Sequence, residues 1–188
     1  MKKLILCLFL TLTACSWRTP NSTFYMMNSD NLSQVSTRKV NVAVSRVKVP
    51  DLLDRPQIVT YEKNSDEIQI SEFERWGEVF PDVVQATITN DLMAMLPNAY
   101  VKRTYFDNQS MNYSVNVEIN KMAAYRGDKV IFSAWWNIMN ASGRVLKRGQ
   151  ETFEVKVKGS SMRDLVDAQV QAVHQLSKVI ATNLSKGI

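Results

Sequence analysis

The apolar positions of this chain follow three different periods. A short apolar run from Leu4 to Leu12 comes first. Phe24-Tyr25-Met26-Met27 then reads as a short strand entering a domain, and the polar stretch from Asn28 to Lys39 reads as a loop. From Val40 to Val49 the pattern is that of a strand. Val40, Val42 and Val44 share one face, whereas Val47 and Val49 fall on the other parity, so a bulge or sharp twist is expected near Ser45 and Arg46. Pro50 ends it. Gln57 to Tyr61 and Glu67 to Ile70 predict two short strands joined by a polar turn.

Helical period begins after that. Ser71-Glu72-Phe73-Glu74 has capping-box spacing, but Arg75-Trp76-Gly77 intervenes, and the helix is expected from about Glu78 to Leu96. Phe80, Val84, Ile88, Leu92 and Met95 form its apolar stripe, and Pro81 fits only in its first turn. Alternation returns in Tyr100 to Tyr105, Tyr113 to Met122, Lys129 to Met139 and Arg144 to Lys158, with turns at Arg126-Gly127-Asp128 and Ala141-Ser142-Gly143. Short turns between alternating strands predict an antiparallel meander. In Lys129 to Met139 both parities are largely apolar, which predicts a strand that is central or covered on both faces. The adjacent Trp135 and Trp136 must point to opposite faces. Ser161 to Asp164 is a second candidate cap, and a last helix runs to about Leu184 on a stripe from Met162 through Leu165, Val173, Leu176 and Ile180. The expected fold is α+β: one domain with a largely antiparallel twisted sheet and two long helices on one face.

The apolar run at the start is too short to span a bilayer as a helix, which needs about 20 apolar residues. Lys2 and Lys3 precede it, and small residues and Cys15 follow it, which is secretory-signal architecture. Leu12-Thr13-Ala14-Cys15 resembles the bacterial lipoprotein box. On that resemblance residues 1–14 are a signal peptide cleaved after Ala14, residues 15–23 a lipidated tether and residues 24–188 the domain. Cys15 would carry a diacylglycerol and an N-acyl chain. Two or more acyl chains anchor stably where one holds only marginally. By resemblance to the sorting rules of enteric-type bacteria, Ser16 in place of an aspartate favours the inner leaflet of the outer membrane of a Gram-negative bacterium, with the domain facing the periplasm.

The chemistry narrows the function further. The formal net charge is +5, Lys2 and Lys3 included, and the remaining cations alternate with acids. No basic block marks a nucleic-acid site. The only cysteines are Cys7 and Cys15, so the mature domain is expected to hold no disulfide and no thiolate metal site. His174, the only histidine, lies in the last helix beside its apolar stripe and has no nucleophile motif to serve. Asp51 and Asp54 with Arg55 read as a solvated turn rather than a metal site. No catalytic residue, metal or dissociable cofactor is expected.

Val47-Lys48-Val49-Pro50-Asp51-Leu52-Leu53-Asp54-Arg55-Pro56-Gln57-Ile58-Val59 resembles a known family. So does Arg75-Trp76-Gly77-Glu78 ahead of a helix ending Leu96-Pro97, with Phe24-Tyr25 behind the tether and the pairs Gly127-Asp128-Lys129-Val130 and Gly143-Arg144-Val145-Leu146-Lys147-Arg148. Together these resemble the ABC-type transport auxiliary lipoproteins, in particular the outer-membrane lipoproteins of paraquat-inducible MCE transport systems. Met26-Met27 departs from the family's usual Tyr-x-Leu, and Pro81 is a second departure. The resemblance implies a non-catalytic subunit that docks a periplasmic MCE-domain protein at the outer membrane while lipid moves between membranes. It also implies a homo-oligomer, with a ring as the arrangement that suits a symmetric partner. Asp51, Leu52, Arg55, Trp76 and Trp135 are the candidate contacts. The alternative is a stand-alone periplasmic lipoprotein that binds lipid or solute in a cavity between sheet and helices.

The lipoprotein box carries its own test. Cys15→Ala is expected to accumulate as an uncleaved, unacylated precursor, read by the intact mass of the membrane-fraction protein; normal processing of that variant would remove the anchor.

Overall fold

A strand that is apolar at successive positions is covered on both faces. Val42, Ala43 and Val44 are wholly buried in this way. Their strand, β2 (Asn41–Ser45), lies inside a five-stranded sheet of order β5-β2-β6-β7-β8, where β5 is Tyr100–Thr104, β6 Tyr113–Ala124, β7 Lys129–Asn140 and β8 Val145–Lys156. A three-stranded sheet of order β1-β4-β3 adjoins it, with β1 at Thr23–Tyr25, β3 at Gln57–Tyr61 and β4 at Ile68–Trp76. The helices are α1 (Phe80–Met95) and α2 (Met162–Ser185). The structure is a computed structural model and describes residues 20–28, 32–63, 65, 67–104 and 111–187.

The α+β architecture and the β6-β7-β8 meander match the periodicity. Gly127 and Gly143 turn the two hairpins with φ of 63° and 79°, a region that side chains with a Cβ rarely adopt. Two features go beyond the pattern. First, β2 pairs in parallel on both sides, with β5 from Asn41–Tyr100 to Ser45–Thr104 and with β6 from Val42–Tyr113 to Val44–Val115. Nothing in an apolar run states the direction of its neighbours. Here the chain crosses over through α1 before β5, and a crossover returns a strand in parallel. Second, Ser71 to Trp76 continues β4 and caps no helix. The Ser71 hydroxyl does accept the Glu74 N–H at 3.1 Å. The segment is nonetheless held as strand, because β4 pairs antiparallel with β3 and parallel with β1.

The helix ends follow local chemistry. Pro81 sits in the first turn of α1, where its missing N–H leaves no bond unmade. At α2 the expected cap is a full capping box: the Ser161 hydroxyl accepts the Asp164 N–H at 3.1 Å and the Asp164 carboxylate accepts the Ser161 N–H at 2.9 Å. α1 packs on β2 and β5, α2 on β6, β7 and β8, and the helices pack on each other. Phe132 and Ile138 from the sheet meet Ile88, Leu92, Leu165, Leu176 and Ile180 from the helices, all wholly buried in one core. Each such side chain contributes about 1.5–3 kcal/mol by its burial.

Trp136 occupies the largest seat in this packing. It is buried, and Gly149 lies opposite it on β8. A Cβ at position 149 would come within 2.8 Å of three atoms of the Trp136 ring. Gly149→Ala is therefore expected to destabilise the domain by about 1–3 kcal/mol, the usual cost of overpacking. Urea unfolding would read this as a lower midpoint at unchanged slope.

Candidate partner-docking face

The helices cover one side of the five-stranded sheet, and on the other side the middle of β6, β7 and β8 is left open. What gathers there is set by how α1 holds the end of β2. The buried Gln85 of α1 donates from Nε2 to the carbonyls of Val44 at 2.8 Å and Thr104 at 3.4 Å, tying the ends of the two parallel strands to the helix. Two residues later Arg46 turns outward. Its Nε donates to the Asp82 carboxylate at 3.1 Å and its Nη2 to Asp54 at 3.5 Å. The Asp82 hydrogen bond pushes the Arg46 guanidinium above its ordinary pKa. The phase flip read near Ser45 and Arg46 is thus a real interruption: β2 ends at Ser45, and pairing with β6 resumes as a single bridge from Lys48 to Glu118.

From there the open face is built in rows. Glu118 of β6 lies opposite Trp135 of β7, which lies opposite Gln150 of β8. The next row is Asn116, Asn137 and Arg148, and Asn116 donates to Asn137 at 3.0 Å. Trp135 is 56% exposed, an unusual setting for so large an apolar side chain. A shallow groove of about 420 Å³ runs along these rows, with Arg46, Lys48, Trp135, Met139, Val145 and Arg148 among its walls. It meets a second depression of about 670 Å³ through Arg46, Lys48 and Glu118, which reaches Pro50 and Asp54 of the turn before β3. The result is an exposed indole framed by cations, with one acid beside it. Such a surface suits a partner that presents apolar and acidic groups.

The expected contact residues divide accordingly. Trp135 stands at the centre of the face. Asp51 is exposed in the adjoining turn, Leu52 packs partly against the core, and Arg55 is half-buried with its carbonyl accepting the Phe80 N–H at 3.2 Å. It is Pro50 and Asp54, not Asp51 and Arg55, that line the depression. Trp76 is no contact at all. It is 3% exposed, and its ring packs on that of Phe80, four residues on at the start of α1, at 5.6 Å. Arg46, Lys48, Glu118 and Arg148 were not legible as site residues; only the phase flip pointed near the first two. Ala14 and Cys15 lie outside the described residues.

His174 has a structural partner. Its Nδ1 is 2.7 Å from the Asp91 carboxylate, which is wholly buried in α1, so the pair joins the two helices. No group of three His, Cys, Asp or Glu side chains is placed to hold a metal among the described residues. No helix among them is long and apolar enough to cross a membrane.

A family profile described as ABC-type transport auxiliary lipoprotein component matches residues 26–181. No curated protein sequence matches the chain. Solved structures share its fold. A crystal structure of an uncharacterized protein is 19% identical with a TM-score of 0.72, over 88% of this chain and all 100% of that one. A crystal structure of a protein from Xanthomonas campestris is 13% identical with a TM-score of 0.71, over 87% of this chain and 95% of that one.

The two adjacent tryptophans separate surface from core in one experiment. Trp136→Ala is expected to cost about 3–5 kcal/mol of stability, whereas Trp135→Ala should stay within about 0.5 kcal/mol. Chemical denaturation of the two variants reads both.

Proposed function

The chain belongs to the family of ABC-type transport auxiliary lipoprotein components, and on that premise we propose that it is a non-catalytic subunit docking a periplasmic MCE-domain protein at the outer membrane. The acyl groups on Cys15 fix the membrane side, and the open sheet face meets the partner. The observation that carries this reading is the exposed Trp135 between Glu118, Lys48 and Arg148 on a face that neither helix covers. An indole ringed by polar groups is the kind of residue that dominates binding energy at interfaces. Arg46, Lys48 and Arg148 would steer an acidic partner surface toward it.

Catalysis is no part of the proposal. The only histidine is committed to Asp91 between the helices. Cargo carriage inside the domain is disfavoured too, since Phe132, Ile88, Leu92, Leu165 and Leu176 fill the space between sheet and helices. A homo-oligomer is part of the proposal. It would present several copies of the Trp135 face to one assembly, and closed rings are a common outcome when copies associate head to tail.

The test places a photo-crosslinking amino acid at Trp135 of the lipidated protein in cells, with a second at the exposed helix position Gln171 as control. Mass spectrometry is expected to identify an MCE-domain protein crosslinked at position 135 and not at 171. Absence of any MCE-domain protein from the position 135 adduct, with the protein in the membrane fraction, would overturn the docking role.

A further inference from the structure

The course of β1 says which end of the domain meets the bilayer. β1 runs parallel to β4, with Thr23 opposite Glu74 and Tyr25 opposite Trp76. The residues before Thr23 therefore head in the same direction as the residues before Glu74, which is toward the β3–β4 hairpin. Phe24 lies at the root of that direction, opposite Arg75, and is 65% exposed. Ile68 and Ile70, on the hairpin, are each 43% exposed. Both are strand residues two apart, so they share a face.

Chain length turns this direction into a constraint. Cys15 is nine residues before Phe24, and nine residues fully extended span at most about 30 Å. On β3, Gln57 pairs with Arg75 and Tyr61 with Ile68, four residue steps, so Ile68 stands about 13 Å beyond Phe24 along the strands. The turn from Glu62 to Glu67, closed by the Glu62 N–H on the Glu67 carbonyl at 3.0 Å, extends further still. The hairpin projects over much of the distance that the tether can bridge, and on the same side.

We infer that the Ile68–Ile70 side of the β3–β4 hairpin lies against the lipid surface that holds Cys15, with Phe24 about 13 Å behind it along the strands. This rests on the acylation of Cys15 within the proposed function. The turn carries Glu62, Lys63, Asp66 and Glu67, three acids to one cation, so it has no cationic cluster to hold an anionic headgroup. The contact is therefore an apolar one that needs no anionic lipid. It also orients the rest of the molecule. Tyr61 bridges Tyr125 at the end of β6, and Glu118, beside Trp135, is seven residues back along that strand, about 23 Å away. The membrane contact and the Trp135 face are thus set apart, with Trp135 toward the periplasm.

The experiment uses the lipidated full-length protein, whose acylated Cys15 cannot take a thiol label. Ile70→Cys and, separately, Ser142→Cys in the β7–β8 turn carry a polarity-sensitive nitrobenzoxadiazole dye. Each is reconstituted in vesicles of phosphatidylethanolamine with a varied share of phosphatidylglycerol. At position 70 the emission is expected to shift to the blue and to lose intensity when brominated lipid is included. At position 142 neither change is expected, and the phosphatidylglycerol share should alter neither result. A solvent-like, unquenched dye at position 70, in vesicle-bound protein whose N-terminal peptide carries the acyl mass, would overturn the inference and leave the anchor intact. A peptide without the acyl mass, and protein that stays off the vesicles, would overturn the anchor and this contact with it.

Discussion

Neighbouring residues of a strand cannot share a face, and β7 carries two tryptophans in succession. Only one of them can lie under the helices. The side of Trp136 is decided by Gly149, which leaves room on β8 for its ring and for nothing more. Once Trp136 is seated under the helices, Trp135 is forced to the opposite side. Because α1 and α2 pack side by side on the Trp136 face, no element of the domain covers Trp135. The exposed indole follows from strand geometry and from helix placement.

Much of this was legible from the chain because the periods are clean. The stripe of α2 and its Ser161–Asp164 cap gave that helix almost to the residue. The alternation of β6, β7 and β8 gave the meander. Ser71 to Glu74 shows where local reading fails. The same spacing and the same hydroxyl-to-N–H bond occur there, but pairing to two neighbouring strands outweighs what one capping bond offers. The parallel seat of β2 was hidden for a related reason: burial on both faces says that cover exists, not which way it runs. Trp76 stood among the candidate contacts from the motif it belongs to, and its burial against Phe80 across the short link between β4 and α1 makes it core.

The candidate face was harder to read, since its members come from distant segments. Arg46 and Lys48 leave β2 where its phase flips, Glu118 sits mid-strand on β6, and Arg148 arrives with β8. Pairing registers bring them together, and single-sequence periodicity carries no register between strands. The Asp91–His174 pair between the helices was invisible for the same reason. On the proposed reading the domain joins a membrane to a partner, with the exposed Ile68 and Ile70 of the β3–β4 hairpin in the direction of the tether and a Trp-centred face about 23 Å away along the strands.

Imaging the lipidated protein with its transport partner in a bilayer disc by cryo-electron microscopy tests this arrangement most directly. The account predicts bilayer density against the β3–β4 hairpin and partner density over the Trp135 face. Partner density over α1 and α2, or a bilayer at the β7–β8 turn, would contradict it.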